Sequence, residues 1–167
     1  MVKIISDSTC DLSPELIAKY DIDILPLHIL LGEDEYEDGK NITPEQIYSW
    51  SDENKTTKTS APALTDAIEL FKPYIDEGRE IVCFSISSSM STSGNVMRIA
   101  AEELEAEDCI TVIDSANLST GIGLLVIEAA IMAQNNHTVE EIVSAIEALK
   151  PNVRASFVVD TLTYLYR

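Results

Sequence analysis

The chain has 167 residues, 46% of them apolar, a size that allows one well-buried domain and is too short for two full ones. Its 29 acidic and 11 basic residues give a net charge of −18, which opposes binding to nucleic acids and to anionic lipid surfaces. There is no signal-peptide pattern, and no apolar run approaches the roughly 20 residues of a membrane span. Three cysteines cannot all pair within one chain, which favours a reducing compartment. We therefore expect a cytoplasmic protein without a membrane span.

Strand and helix patterns alternate along the chain. Cap residues at Ser13, Thr43 and Thr138, each followed by a proline or acids, mark helix starts. The predicted helices cover residues 13–20, 43–50, 63–77, 93–105, 118–135, 138–149 and 161–167. The predicted strands cover residues 2–6, 22–30, 81–86, 109–113 and 155–160. This alternation favours right-handed βαβ units, and so predicts an α/β fold with a mostly parallel sheet of four or five strands and helices on both faces.

Two segments match metal or nucleotide motifs only in part. Residues 32–40 contain five acids with partial calcium-loop spacing, but the third position is Tyr36, which has no carboxylate or amide oxygen. Because this segment ends in the turn dipeptide Asp38-Gly39, it predicts a surface hairpin or an excursion from the sheet. Gly121-Ile122-Gly123 begins a dinucleotide fingerprint that lacks its third glycine. We expect neither a metal nor a nucleotide cofactor.

Hydroxyl-bearing residues cluster where predicted strands end. Six serines lie between Ser85 and Ser93, directly after the apolar run 81–84. Residues 55–60 form no apolar strand but carry four hydroxyls before Ala61-Pro62. Further polar segments follow other strands at residues 6–9 and 114–117. The carboxyl ends of parallel strands lie at one edge of a sheet, so one ligand site can draw on all four segments. Neutral donors at that edge favour a carboxylate or a phosphate.

The alternative to ligand binding is that residues at the same edge catalyse a reaction. The protein would then be a small hydrolase or phosphotransferase that uses Asp7 or Ser91. A phosphatase of the haloacid-dehalogenase kind needs a second acid two residues after its aspartate, and this chain has Thr9 there. Serine catalysis needs a nearby base, but the only histidines are His28 and His137, and the G-x-S-x-G spacing is absent. Paired metal-ligand spacings are also missing. The hydroxyl residues at this edge therefore favour ligand binding over catalysis.

Four ordered motifs carry a family resemblance over essentially all 167 residues. They are Asp7-Ser8-Thr9-Cys10-Asp11-Leu12, Thr59-Ser60-Ala61-Pro62, Ile86-Ser87-Ser88-Ser89-Met90-Ser91 and Val112-Ile113-Asp114-Ser115. Their order and spacing resemble the N-terminal domain of DegV-family proteins, which are bacterial fatty-acid-binding proteins. The resemblance implies a Rossmann-like three-layer domain over residues 1–160. It also implies that residues 161–167 begin the connection to a second domain absent from this chain.

The resemblance further implies a function. In the family, a long-chain fatty acid lies between two domains and hydroxyls hold its carboxylate, which some members present to a separate ATP-dependent fatty acid kinase. Carried over by position, the carboxylate ligands are Thr59, Ser60, Ser91 and Thr92, and the supporting residues at the same edge are Asp7, Ser8 and Ser115. The chain is then a lipid-binding protein rather than an enzyme and uses no cofactor. Without a second domain, we expect weaker binding and self-association through an exposed apolar face.

The chain departs from the family motifs at two places. The serine that follows T-S-x-P in the family is Ala63 here, and the family's S-G-T is Ser91-Thr92-Ser93. The second change replaces a glycine by a β-branched residue at a point where the backbone approaches the ligand. The expected site therefore depends on the conformation that Thr92 adopts.

Overall fold

The computed structural model describes residues 1–52 and 55–159. Its strands, in chain order, are β1 (Lys3–Asp7), β2 (Ile22–Leu25), β3 (His28–Leu31), β4 (Asp34–Glu37), β5 (Thr57–Ser60), β6 (Ile81–Ser85) and β7 (Ile110–Asp114). Its α-helices are α1 (Pro14–Tyr20), α2 (Pro44–Asp52), α3 (Leu64–Asp76), α4 (Ser93–Glu103), α5 (Thr120–Gln134) and α6 (Val139–Leu149). Two short 3-10 turns lie at Ser8–Cys10 and Lys150–Asn152.

Four strands form the parallel sheet that the sequence predicts, in the order β2-β1-β6-β7. From β1 the chain first moves to β2 on one side, and later to β6 on the other side. The strand order therefore reverses between β1 and β6. In open α/β sheets, ligands bind beyond the carboxyl ends of the strands at such a reversal.

Helices cover both faces of the parallel sheet, and two cores result. Ile4 and Ile5 are neighbours on β1, but Ile4 packs in the core beneath α5 and α6, and Ile5 packs in the core beneath α3 and α4. Val82 and Cys83 on β6 divide in the same way, since successive strand residues point to opposite faces. The near-continuous burial of β1 and β6 follows from this three-layer arrangement.

A second, antiparallel sheet has the order β4-β3-β5. β3 and β4 form a hairpin across Gly32, whose φ of +70° suits glycine. This confirms the predicted surface excursion. Its own small core contains Ile29, Leu31 and Ile42, with Trp50 of α2 packed against them.

Three strand predictions were wrong in part. The predicted strand 22–30 is divided at Pro26, which lacks the N–H that a sheet ladder needs, so β2 and β3 join different sheets. Residues 57–60, where no strand was predicted, form β5 because β3 supplies hydrogen-bonding partners. Residues 155–159 form no strand, and Val158 is 97% exposed, since no neighbouring strand pairs with them in the described part of the chain. Residue 160 and the predicted helix 161–167 lie outside the described residues.

The predicted helix starts are confirmed by their caps. The Ser13 hydroxyl accepts a hydrogen bond from the Leu16 amide, and Thr138 forms a reciprocal capping box with Glu141. None of the helices in the described ranges is both long enough and apolar enough to cross a membrane.

Candidate functional site

An open cleft of about 740 Å³ lies beyond the carboxyl end of β6. We call it the hydroxyl cleft. Three segments line it: the β2–β3 connection, the end of β5 with the following turn, and the β6–α4 loop. The lining residues are Leu27, Thr59, Ser60, Ala61, Ile86, Ser88, Ser89, Met90, Ser91 and Thr92. The cleft therefore adjoins the point where the strand order of the parallel sheet reverses.

The four residues predicted to hold a carboxylate all line this cleft. Thr59 and Ser60 end β5 of the antiparallel sheet, whereas Ser91 and Thr92 directly precede α4. The fold thus brings together two hydroxyl pairs that are about thirty residues apart in the sequence. This juxtaposition depends on Pro26, because the chain leaves the parallel sheet there and starts the antiparallel one.

Several hydroxyls of the cleft are available to a ligand. Within the described residues, no hydrogen bond engages the side chains of Thr59, Ser60 or Thr92. Thr92 is the N-cap residue of α4, yet its side chain makes no capping bond. The Ser91 hydroxyl accepts a hydrogen bond of 3.2 Å from the Ser93 amide and lies 3.2 Å from the Ser93 hydroxyl. The fixed position of Ser91 reduces the entropy lost when a ligand binds there.

The electrostatic character of the cleft differs from that of the chain as a whole. The chain carries a net charge of −18, but among the described residues the lining contains no aspartate, glutamate, lysine, arginine or histidine. α4 also begins at the cleft, and the amides at a helix N-terminus carry partial positive charge. The hydroxyl cleft is therefore suited to an anionic group that hydroxyls and amides can hold.

Asp7 is buried and holds the β6–α4 loop of the cleft. Its carboxylate accepts a hydrogen bond of 2.8 Å from the Ile86 amide and one of 2.5 Å from the Thr9 hydroxyl. Burial raises the pKa of Asp7, although hydrogen bonds from Thr9, Ile86 and the Ser93 hydroxyl oppose that rise. Since Ser93 also contacts Ser91, a chain of polar contacts runs from the buried carboxylate to the cleft surface.

Ser8 and Ser115 lie near the same edge but do not line the cleft. The Ser8 hydroxyl accepts a hydrogen bond of 3.1 Å from the Leu27 amide, which ties the end of β1 to the β2–β3 connection. The buried Ser115 hydroxyl is 3.2 Å from both the amide and the carbonyl of Asn117, and so shapes the turn after β7. Both residues brace the loops around the cleft.

The motif departure at Thr92 causes no backbone strain. Thr92 has φ −92° and ψ 9°, a conformation with negative φ that a threonine can adopt. A close approach occurs instead at Gly94, where an added Cβ would lie 2.8 Å from the Ser85 hydroxyl oxygen. Gly94 thus lets the first turn of α4 pack tightly against the end of β6.

Apolar lining residues are the part of the site that sequence reasoning missed. Leu27, Ile86 and Met90 line the cleft beside the hydroxyls, and Met90 is 59% exposed. Pro26 inside the predicted strand 22–30 was the available signal for Leu27, because a proline there indicates a break. Apolar groups beside neutral donors suit a ligand that has a polar head and an apolar body.

Fold and cleft together define a Rossmann-like α/β domain with a ligand cleft at the reversal of its strand order. The family model described as "Uncharacterised protein, DegV family" matches residues 1–167. The chain belongs to the DegV family.

Relatives and solved structures agree with this assignment. A DegV domain-containing protein of Clostridium perfringens is 37% identical over 167 residues, which are 99% of this chain and 60% of that protein. A fatty-acid-binding DegV family protein from Thermus thermophilus has a TM-score of 0.82 at 25% identity, over 90% of this chain and 53% of that one. A stearic acid-binding protein from Eubacterium ventriosum has a TM-score of 0.80 at 34% identity, over 89% and 53%. The chain thus spans about 60% of the relative's length and about half of each solved chain.

Proposed function

We propose that this chain binds long-chain fatty acids and supplies the side of the site that holds the carboxylate head group. Thr59, Ser60, Ser91 and Thr92 donate hydrogen bonds to the carboxylate, and Asp7, Ser8 and Ser115 hold the loops that carry them. The acyl chain leaves the cleft along its apolar residues, and a second domain of the whole protein encloses it. The protein acts in the cytoplasm.

One observation carries this proposal: both predicted hydroxyl pairs line a single cleft that has no charged lining residue among the described residues. A carboxylate that accepts several hydrogen bonds from neutral donors needs no salt bridge, because each charge-assisted bond contributes about 1.5–3 kcal/mol. The fatty-acid-binding relatives from Thermus thermophilus and Eubacterium ventriosum support the same ligand class.

We infer that the chain binds and presents its ligand rather than transforming it. Asp7 is fully buried and already accepts hydrogen bonds from the Thr9 hydroxyl and the Ile86 amide, so it is badly placed to act as a nucleophile. Ser91 has a serine as its hydrogen-bonding neighbour instead of a base. In the whole protein, the bound carboxylate is presented to a separate ATP-dependent fatty acid kinase, which forms the acyl phosphate.

In this chain the head group should account for most of the binding affinity as well as for the specificity. An enclosed acyl chain contributes about 0.8 kcal/mol per buried CH₂, but the hydroxyl cleft is open and most of that contribution requires a second wall. The carboxylate contacts, in contrast, all come from residues 59–60 and 91–92.

The test is displacement of a fluorescent fatty-acid probe by stearic acid and by methyl stearate, each kept below its aggregation concentration. Stearic acid should displace the probe, and the ester should be at least about tenfold weaker, since it loses charge-assisted hydrogen bonds. Equal displacement by acid and ester would show that the hydroxyls do not hold a carboxylate. Turnover of the ester or of a phosphate ester by the chain alone would favour the hydrolase or phosphotransferase alternative.

A further inference from the structure

Three side chains outside the hydroxyl cleft form a compact group of metal-ligand type. They are His28 on β3, Glu37 on β4 and Asp66 in the first turn of α3. One ligand atom of each lies within 4.8 Å of the others, and all three residues are half-buried. We call them the His28 cluster. It shares no residue with the lining of the hydroxyl cleft.

The backbone of the antiparallel sheet fixes this group. The β3–β4 register places His28 directly opposite Glu37, so their side chains leave the same face of the sheet. The β3–β5 register places His28 opposite Ser60, and α3 begins soon after that residue. As a result, Asp66 Oδ2 lies 2.9 Å from His28 Nε2.

A further carboxylate holds the other nitrogen of the imidazole. Glu35 Oε1 lies 2.6 Å from His28 Nδ1. In metal proteins, a carboxylate on one ring nitrogen commonly fixes the tautomer and orientation of the ring, so that the second nitrogen can bind the ion. Here the second nitrogen is Nε2, which faces Asp66.

The charges around the cluster favour a cation. Glu35, Glu37 and Asp66 are joined by Glu69, which lines an adjoining cavity of about 270 Å³ with Lys40. The Lys40 ammonium lies 3.0 Å from Glu37, with its side chain 55% exposed. The surroundings of the cluster therefore contain four carboxylates, one exposed ammonium and one imidazole. Negative charge is in excess there, and a divalent ion would neutralise it.

We propose that His28, Glu37 and Asp66 bind one divalent transition-metal ion, with Zn²⁺ as the ion best suited to one imidazole and two carboxylates. Three protein ligands with a further position left for water are typical of open zinc sites. The ion would join the β3–β4 hairpin to the first turn of α3. It would thereby stabilise the segment that carries Thr59 and Ser60 without contacting the fatty acid.

The competing arrangement is a protonated His28 that bridges carboxylates without a metal. The hydrogen bond with Glu35, followed by that with Asp66, raises the pKa of His28 against the effect of desolvation. In that case the contacts are a structural clamp, and the chain has no saturable metal site at His28. Metal titration distinguishes the two arrangements.

The experiment is calorimetric titration of the tag-free chain with ZnCl₂. The parent and all variants carry Cys109→Ser, because an exposed thiol is itself a zinc ligand. The parent should bind one ion per chain. His28→Gln should weaken binding by about 100-fold or more, and Glu35→Gln by about 10- to 100-fold, as for other residues that orient a ligand.

The matched control is His137→Gln. His137 is the only other histidine, and its Nδ1 lies 3.0 Å from a Glu141 carboxylate oxygen, so it is a second histidine–carboxylate pair. Its replacement should leave zinc binding unchanged. Zinc should also raise the melting temperature of the parent and of His137→Gln, but not that of His28→Gln.

Three results would overturn the proposal: no saturable binding by the parent, undiminished binding by His28→Gln, or loss of binding in His137→Gln. Circular dichroism establishes that each variant is folded. If His28→Gln does not fold, Glu37→Gln replaces it under the same criteria, since the Glu37 side chain is 32% exposed and its loss leaves no buried cavity.

Discussion

The Asp7 carboxylate accepts a hydrogen bond of 2.8 Å from the backbone N–H of Ile86. Asp7 ends β1 and Ile86 follows β6, so this bond joins the two strands between which the strand order reverses. Ile86 lines the hydroxyl cleft, whereas Asp7 is fully buried. A buried carboxyl group therefore holds one loop of a cleft whose described lining residues are uncharged.

The first prediction concerns the pH dependence of stability in Asp7→Asn. Burial raises the pKa of Asp7, so the folded protein binds this proton more tightly than the unfolded chain does. The contribution of this bound proton to stability is complete below the pKa of aspartate in the unfolded chain, about 3.9. It is lost as pH rises through the higher pKa that Asp7 has in the folded protein. Relative to the parent, Asp7→Asn should therefore gain stability as pH rises through that window.

Urea unfolding between pH 4 and 7 measures this difference. The amide side chain introduced by Asp7→Asn can still accept the hydrogen bond from Ile86 and donate to the Thr9 hydroxyl, so the variant should fold. Asp108→Asn, at an exposed position before β7, is the control for the exchange of a carboxyl group for an amide. A stability difference between Asp7→Asn and the parent that stays constant across this pH range would show that burial of Asp7 does not set its titration.

The second prediction is that Gly94→Ala destabilises the protein, although alanine is the better helix former. The added Cβ would lie 2.8 Å from the Ser85 hydroxyl oxygen, and Ser85 is buried. Such overpacking costs about 1–3 kcal/mol, more than the roughly 0.5–1 kcal/mol that alanine gains over glycine in a helix. The denaturation midpoint in urea should fall accordingly.

Ser85→Ala in the same chain tests the cause of that loss. Removing the hydroxyl oxygen relieves the close contact, so the double variant should recover most of the stability that Gly94→Ala loses. A Gly94→Ala protein as stable as the parent would mean that α4 shifts without penalty. A double variant that is no more stable than Gly94→Ala would show that the strain does not come from the contact with Ser85.

The third prediction concerns the hydroxyls of the cleft. Thr59→Val and Ser91→Ala should each weaken fatty-acid binding by about 1–3 kcal/mol, because each removes a donor to the carboxylate. Thr59 is exposed and Ser91 is half-buried, and neither belongs to a hydrophobic core, so the fold should persist. The double variant should lose less than the sum, since the head group can relocate once either donor is gone.

Matched controls come from hydroxyls outside the cleft. Thr56→Val lies on an exposed position just before β5, and Ser144→Ala lies on an exposed position of α6. Neither should change displacement of the fluorescent probe by stearic acid. Parental affinity in both cleft variants would reject Thr59 and Ser91 as carboxylate ligands.

The fourth prediction compares this chain with a longer relative. The chain spans only 53% of the stearic acid-binding protein of Eubacterium ventriosum. Because an open cleft leaves most of the acyl chain in water, this chain should bind stearic acid much more weakly than that relative. Comparable affinities would show that residues 1–167 enclose the acyl chain by themselves.

Self-association is a separate consequence that sedimentation measures. Leu27, Ile86 and Met90 line the open cleft together, Met90 is 59% exposed, and a contiguous apolar patch favours association. The chain alone should therefore form dimers or larger species as its concentration rises. A single monomeric species at all concentrations would contradict this prediction.

Local patterns predicted the parallel sheet and its helices well. Ser13 and Thr138 mark their helix starts because capping is an interaction between residues three positions apart. The apolar run at 81–84 predicts β6 because burial on both faces requires apolar residues at successive positions. By contrast, β5 has an exposed and polar sequence, Thr57 to Ser60, and is a strand only because β3 pairs with it.

The sequence by itself determined the fold class, most helix starts, the DegV resemblance and the hydroxyl residues of the proposed site. These depend on short-range patterns and on residue type. Only the tertiary structure decided that Pro26 separates two sheets, that Thr59 and Ser91 line the same cleft, and that His28 meets Glu37 and Asp66. Each of these facts depends on contacts between segments distant in the chain, which arise when whole strands and helices pack together and which no local pattern encodes.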